Sequence, residues 1–120
     1  MSFWRNKVIE PALDAGTDSA IREQEEFLRQ DPSNPHPHLA LGALEYLRGN
    51  AEIAIEHFRK ALELDPGCAS AHVGLGRIYA VRGQTDLAWQ HARAAAIAGN
   101  HSLLEQLERY PSASRPPERP

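Results

Sequence analysis

Residues 41–66 read LGALEYLRGNAEIAIEHFRKALELDP, and this stretch decides the fold. Its first part places leucine at every third residue, which forms an apolar stripe along one face of a helix. Gly49 then interrupts the pattern, since glycine favours the left-handed backbone conformation that ends helices. A second apolar series begins at Ile53, and Pro66 closes it. The stretch therefore predicts two antiparallel helices joined by a glycine turn.

The pattern recurs with a period of 34 residues. Aligning residues 35–68 with residues 69–102 gives nine identities, and conservative pairs such as Leu44 with Ile78 lie between them. Such a period is typical of a helical repeat protein, in which each unit buries its apolar face against the next. The identical pairs are His38 and His72, Leu41 and Leu75, Gly42 and Gly76, Arg48 and Arg82, Gly49 and Gly83, Ala54 and Ala88, His57 and His91, Arg59 and Arg93, and Ala61 and Ala95.

Residues 54–66 resemble the second helix of a tetratricopeptide repeat, and residues 41–49 resemble its first helix. The first-helix tyrosine of the family usually lies one place before Tyr46, whereas the next repeat keeps the family spacing in Leu75, Gly76, Tyr79 and Gly83. The resemblance implies an all-α fold, a right-handed α-α superhelix of about three helix pairs with a C-terminal capping helix. It also implies a scaffold or adaptor that binds proteins and is not an enzyme.

The register divides the whole chain into units. Trp4, Ala20 and Pro32 fall on signature positions of the family, so the first 34 residues resemble a degenerate repeat. An internal proline removes a backbone hydrogen bond, and we therefore expect a short helix before Pro11 and a restart at or after it. The predicted units are residues 1–34 as the degenerate first repeat with an N-terminal segment, 35–68 as the second repeat, 69–102 as the third, 103–110 as the capping helix, and 111–120 as a disordered proline-rich tail.

Composition and charge narrow the classes of partner. The formal net charge of −3 argues against a nucleic-acid binder, which needs a basic surface. No apolar run is long enough to span a membrane or to serve as a secretory signal. Cys68 is the single cysteine, so no internal disulfide can form. We expect a cytoplasmic protein with a protein partner, and neither a nucleic-acid partner nor a membrane span.

The six histidines raise the question of a metal site. His38 and His72 are one repeat apart, as are His57 and His91, and equivalent positions of stacked repeats lie about a helix spacing apart, roughly 8–10 Å. That distance is too long for two histidines to share one zinc ion, whose nitrogen ligands lie at about 2 Å. No convergent acid, base and nucleophile is found either. We therefore predict no catalytic residue, no metal and no cofactor.

The resemblance implies that the first helices line a concave groove, which takes a peptide or a partner helix. Apolar and small residues dominate its positions, with one aromatic ring and one cation, so an apolar or amphipathic segment with an acidic group near Arg77 is the expected ligand. The family's clamp for a chaperone carboxylate is absent, because Leu39, Ala40, Ala43, Ser70 and Gly74 occupy its positions. The predicted partner-binding residues are His36, Leu39, Ala43, Tyr46, Leu47, Val73, Arg77, Ala80 and Val81.

Other modes of association remain open from the sequence. The chain could be a permanent structural or accessory subunit of a larger enzyme complex, or a homo-oligomer, docked through Phe3, Trp4 and Trp89. Trp89 stands where the other units have isoleucine, and an exposed tryptophan there would indicate an interface. Alternatively, the apolar residues near the N-terminus fill the groove of their own chain; these are Phe3, Trp4, Val8 and Ile9.

Overall fold

The computed structural model describes the backbone of residues 2–109 and the side chains of residues 16–109. This part of the chain is entirely helical and contains no strand, which confirms the predicted all-α fold class. The six helices are α1 (Ser2–Gln30), α2 (Pro35–Leu47), α3 (Ala51–Leu64), α4 (Ala69–Val81), α5 (Thr85–Ile97) and α6 (Ser102–Arg109).

Glycine and asparagine set the ends of the helices. Gly49, Gly83 and Gly99 have φ angles of 86°, 78° and 106°. Each glycine directly follows the C-cap residue of a helix. This left-handed geometry lets the backbone N–H groups after the helix reach back to its final carbonyls. At the other end, the side chain of Asn34 accepts a hydrogen bond of 3.0 Å from the backbone N–H of His36.

Consecutive helices pack against each other along the chain. α2 pairs with α3 and α4 with α5, while α1 packs on α2, α3 on α4, and α6 on both α4 and α5. Two cross-repeat ion pairs recur at the same places: Arg48 with Asp18 at 3.3 Å, and Arg82 with Glu52. The repeated geometry produces a helical repeat superhelix, in which neighbouring units bury each other.

Small residues allow the close approach of the paired helices. Ala54 and Ala61 of α3 are fully buried, and so are their equivalents Ala88 and Ala95 of α5. A Cβ atom at Gly76 would overlap the side chain of Leu103, so α6 lies directly against α4. The sequence signature of alanines and glycines therefore marks the contact faces of the helices.

The first unit differs from its prediction. α1 is one unbroken helix through Pro11 and Gly16, and the expected restart after the proline is wrong. An internal proline costs about 3 kcal/mol, but the residues that follow it include the helix-favouring Ala12, Leu13 and Ala15, which help the helix to continue. The described residues thus contain two helix pairs flanked by α1 and α6. The predicted tail, residues 111–120, lies outside them.

Candidate functional site

The groove forms between the first helices of the two pairs. α2 and α4 run side by side, and a cavity of about 310 Å³ lies between them. Four of the predicted partner-binding residues, Ala43, Tyr46, Leu47 and Arg77, are brought together at this cavity. Its remaining lining residues are Phe58, Gly74 and Ile78.

The floor of the groove is the ring of Phe58. A Cβ atom at Gly42 would lie 2.9 Å from this ring, and one at Gly74 would lie 2.6 Å from it. Both distances are far below ordinary van der Waals contact, so the ring occupies the space that two missing side chains leave. Ile78 is buried beside it. The floor is therefore apolar and held in place by packing.

Phe58 was not among the partner-binding residues predicted from the sequence, although it lines the groove. The signal that could have found it is the pair of glycines on facing helices, Gly42 and Gly74, which leave room for a ring from a third helix. Ile78 was missed for a related reason, because its three-residue spacing from Leu75 is that of an ordinary core position.

The rim of the groove is apolar and exposed. Leu47 lines the cavity and is 77 % exposed. Its equivalent one repeat later, Val81, is 76 % exposed but is not among the lining residues of the cavity. Each is the last residue of its helix. Tyr46 is also exposed, at 38 %. Exposed apolar side chains gathered at a cavity are typical of an interaction surface.

Arg77 is the one cation that lines this cavity. Its side chain is exposed, and among the described residues no carboxylate forms an ion pair with it. The other exposed arginines at the helix ends, Arg48 and Arg82, are paired with acidic residues. The groove therefore combines an apolar floor and rim with one available positive charge.

The other predicted partner-binding residues do not line the cavity. Leu39 and Ala80 are half-buried against the core, and His36 is exposed in the first turn of α2. Val73 is buried, with 8 % of its surface exposed, so it offers a partner little contact. Its position faces the core because α4 packs against α3 as well as α5.

Trp89 is not an exposed docking residue, since only 1 % of its surface is accessible. This is a core position in each unit, because its equivalents Ile21 and Ile55 are buried as well. The guanidinium of Arg93 lies over the ring, 5.8 Å from its centroid. Phe3 and Trp4, with Val8 and Ile9, lie outside the residues whose side chains are described.

The sequence profile of the tetratricopeptide repeat family matches residues 15–67 and 39–102. Together the two matches extend from the second half of α1 to the end of the third repeat. The chain belongs to the tetratricopeptide repeat family. Among curated proteins, no sequence matches it.

Tetratricopeptide repeats mediate protein–protein interaction and are not catalytic as a family. The lining of this chain's groove is consistent with an interaction role, because most of its residues are apolar or small. Within the described residues, no helix is both long and apolar enough to cross a membrane.

Each of the two complete helix pairs also contains a histidine pair. The Nδ1 atoms of His38 and His57 lie 3.1 Å apart, and those of His72 and His91 lie 3.0 Å apart. Sequence reasoning compared histidines one repeat apart and missed these contacts, which join residues nineteen apart on the two helices of one unit. In each neutral pair one Nδ1–H donates and the other Nδ1 accepts, so the two rings must hold different tautomers.

Burial lowers the pKa of His38, His57 and His91 below the ordinary value of 6.5. The charge of the paired ring lowers the pKa of His38 and of His91 further, whereas the carboxylates of Glu45, Glu56 and Glu25 oppose the shift at His57. Among the residues that the structure describes, no group of three or more histidine, cysteine or acidic side chains is placed to hold a metal ion.

Proposed function

We propose that this protein is an interaction scaffold that holds an apolar or amphipathic segment of a partner protein in the groove between α2 and α4. The observation that carries the proposal is the cavity of about 310 Å³, with its floor of Phe58 and Ile78 and the exposed side chains of Tyr46 and Leu47 at its rim. A partner helix or extended peptide would insert its apolar side chains against this floor.

Burial of the rim supplies the affinity in this proposal. Covering a leucine or valine side chain contributes about 1.5–3 kcal/mol. An acidic group of the partner would pair with Arg77 and fix the orientation of the segment, since electrostatic complementarity contributes mainly to specificity and association rate. Leu39, Ala43 and Gly74 offer no polar group for a terminal carboxylate, so the partner is held through an internal segment.

The proposal includes a non-catalytic role in the cytoplasm. The single thiol, Cys68, is buried between α3 and α4 and needs no oxidising compartment. Partner binding, rather than chemistry on a small substrate, then accounts for the exposed apolar rim.

Purification of the tagged protein from its native cells, at its native level, tests the proposal. The groove variant is Leu47→Glu with Arg77→Glu, two exposed positions where substitution leaves the core intact. The matched control, Ile97→Glu with Arg109→Glu, changes the charge equally at exposed positions outside the groove. We expect a stoichiometric partner to accompany wild type and control and to be lost from the groove variant. Retention of the same partner by all three proteins contradicts the proposal.

A further inference from the structure

The second helix of each complete pair is covered by its first helix, but α1 is not covered in this way. Ala54 and Ala61 of α3 have no exposed surface. The positions one repeat earlier in α1 are Ala20, which is half-buried, and Phe27, which is 45 % exposed. In contrast, Ile21 is buried, as is its equivalent Ile55, because that face of α1 packs on α2. One face of α1 therefore lacks its covering helix.

The repeat register identifies what should cover this face. Residues 2–15 occupy the positions of the first helix of a pair, and residues 17–30 those of the second. In the structure, however, α1 is a single helix from Ser2 to Gln30, roughly 43 Å long at 1.5 Å per residue. A straight helix cannot fold back on itself, so residues 2–15 cannot cover residues 17–30 of the same chain.

We propose that a second copy of this chain covers the exposed face of α1. Residues 2–15 of each copy lie antiparallel on residues 17–30 of the other, about a twofold axis near Gly16. This is a domain swap, in which an element makes with a second copy the contacts that it would make within its own chain. Both copies contribute the same surface, so the assembly closes as a dimer.

The environment of Gly16 agrees with this arrangement. A Cβ atom there would meet nothing within 4 Å, so the helix surface at the proposed axis is open in the single chain.

The sizes of the facing residues also fit the register. Val8 is larger than Gly42 and Gly76, the residues at its position in the other units, and Gln24 lacks the ring of Phe58, its equivalent in α3. The residue that is larger than its equivalents on one helix of the proposed dimer therefore faces the residue that is smaller than its equivalent on the other.

Ile97 is also apolar and 89 % exposed, but the repeat register assigns no covering helix to it. The α1 face is different because the segment expected to cover it, residues 2–15, is present in the sequence but continues the same helix and so points away from this face. The proposal does not depend on the groove, whose residues belong to α2, α3 and α4.

A cysteine pair tests the swap directly. A Cβ atom added at Gly76 would lie 3.3 Å from the Cβ of His91. The equivalent positions in the first unit are Val8 and Glu23. Disulfides join Cβ atoms at about 3.5–4.5 Å. The full chain carrying Val8→Cys and Glu23→Cys, with Cys68→Ser, is oxidised and compared with the same chain carrying Val8→Cys and Glu25→Cys. Position 25 points about 200° around the helix from position 23.

We expect the first variant to form a covalent dimer of twice the 13.3 kDa chain mass under denaturing, non-reducing conditions, and the control to remain monomeric. A monomer with an internal disulfide, detected by intact mass, would overturn the proposal, because it requires residues 2–15 to fold back. Absence of any disulfide, or equal cross-linking of the control, would overturn it as well.

Light scattering on the unmodified chain provides a second measurement. Wild type should have twice the mass of one chain, and Phe27→Glu should shift it towards the monomer with its helical content retained, because Phe27 is partly exposed in the single chain. A wild-type monomer would refute the swap. The groove variant Leu47→Glu with Arg77→Glu should stay dimeric, which separates this proposal from the proposed partner binding.

Discussion

At the scale of single residues, the groove depends on two glycines, which have no side chain, as much as on the ring that packs between them. The ring of Phe58 reaches the groove only because Gly42 and Gly74 leave space on both sides. One repeat earlier, Ala40 occupies the position equivalent to Gly74. The second glycine is therefore a local feature of this groove.

Gly74→Ala should destabilise the protein by about 1–3 kcal/mol, the usual cost of overpacking. The new Cβ would lie 2.6 Å from the Phe58 ring, and this clash outweighs the gain in helix propensity of about 1 kcal/mol. Denaturant unfolding followed by circular dichroism measures the change. The control is Ser70→Ala, at an exposed position of the same helix, and its effect should stay within about 0.5 kcal/mol. Equal stability of the two variants would contradict the packing.

The histidine pairs should make stability depend on pH. Because the folded-state pKa of His38, His57 and His91 lies below 6.5, the unfolded chain binds more protons, and stability falls as the pH drops through 6.5 towards the folded-state values. Unfolding free energies measured between about pH 7.5 and about pH 5.5 should show this decrease.

The variant His57→Gln with His91→Gln removes one ring from each pair and should reduce that decrease. His101→Gln, at an exposed residue outside both pairs, serves as the control and should retain it. If the double variant keeps the full wild-type dependence on pH, the pairs do not control the acid sensitivity.

At the scale of helices, the terminal helix closes the core. α6 buries Leu103 and Leu107 against α4 and α5 and leaves Gln106 exposed. The alanine-rich surface of α5 permits this close packing. Without α6, the apolar face of the last pair would be open to water.

Leu103→Ala should lower the free energy of unfolding by about 2–5 kcal/mol, as expected for a large-to-small change at a buried site. The matched control is Gln106→Ala on the exposed face of the same helix, and its effect should stay within about 0.5 kcal/mol. Thermal or denaturant unfolding of both variants gives the comparison. A similar small effect at both positions would mean that α6 does not close the core.

The sequence predicted α2 to α5 well because their alanines and glycines mark helix contacts directly. It did not predict that Trp89 is buried, because the spacing alone does not show that the core has room for an indole ring where the other units bury isoleucine. Nor did it predict the histidine pairs, which cross the turn between two helices. The interruption expected at Pro11 was wrong because the effect of one proline was weighed without its helix-forming neighbours.

At the scale of the whole molecule, the fold separates two surfaces. The groove between α2 and α4 is lined by Tyr46, Leu47 and Arg77, and the proposed exchange surface is on α1 around Phe27. Because each helix contacts mainly its neighbours in the chain, a change on one surface should leave the other intact. The molecule could then dimerise through α1 and bind a partner in each groove.

The central claim is that the groove between α2 and α4 binds a partner protein. Its most direct test places a photo-cross-linking amino acid at position 47, 81 or 97 of the tagged chain in its native cells. Position 47 lines the groove, and position 81 ends α4 one turn after the lining residues Arg77 and Ile78. Position 97 is similarly exposed but does not line the groove. We expect positions 47 and 81 to cross-link the same protein and position 97 not to. Cross-linking of that protein from position 97 alone, or equally from all three, would contradict it.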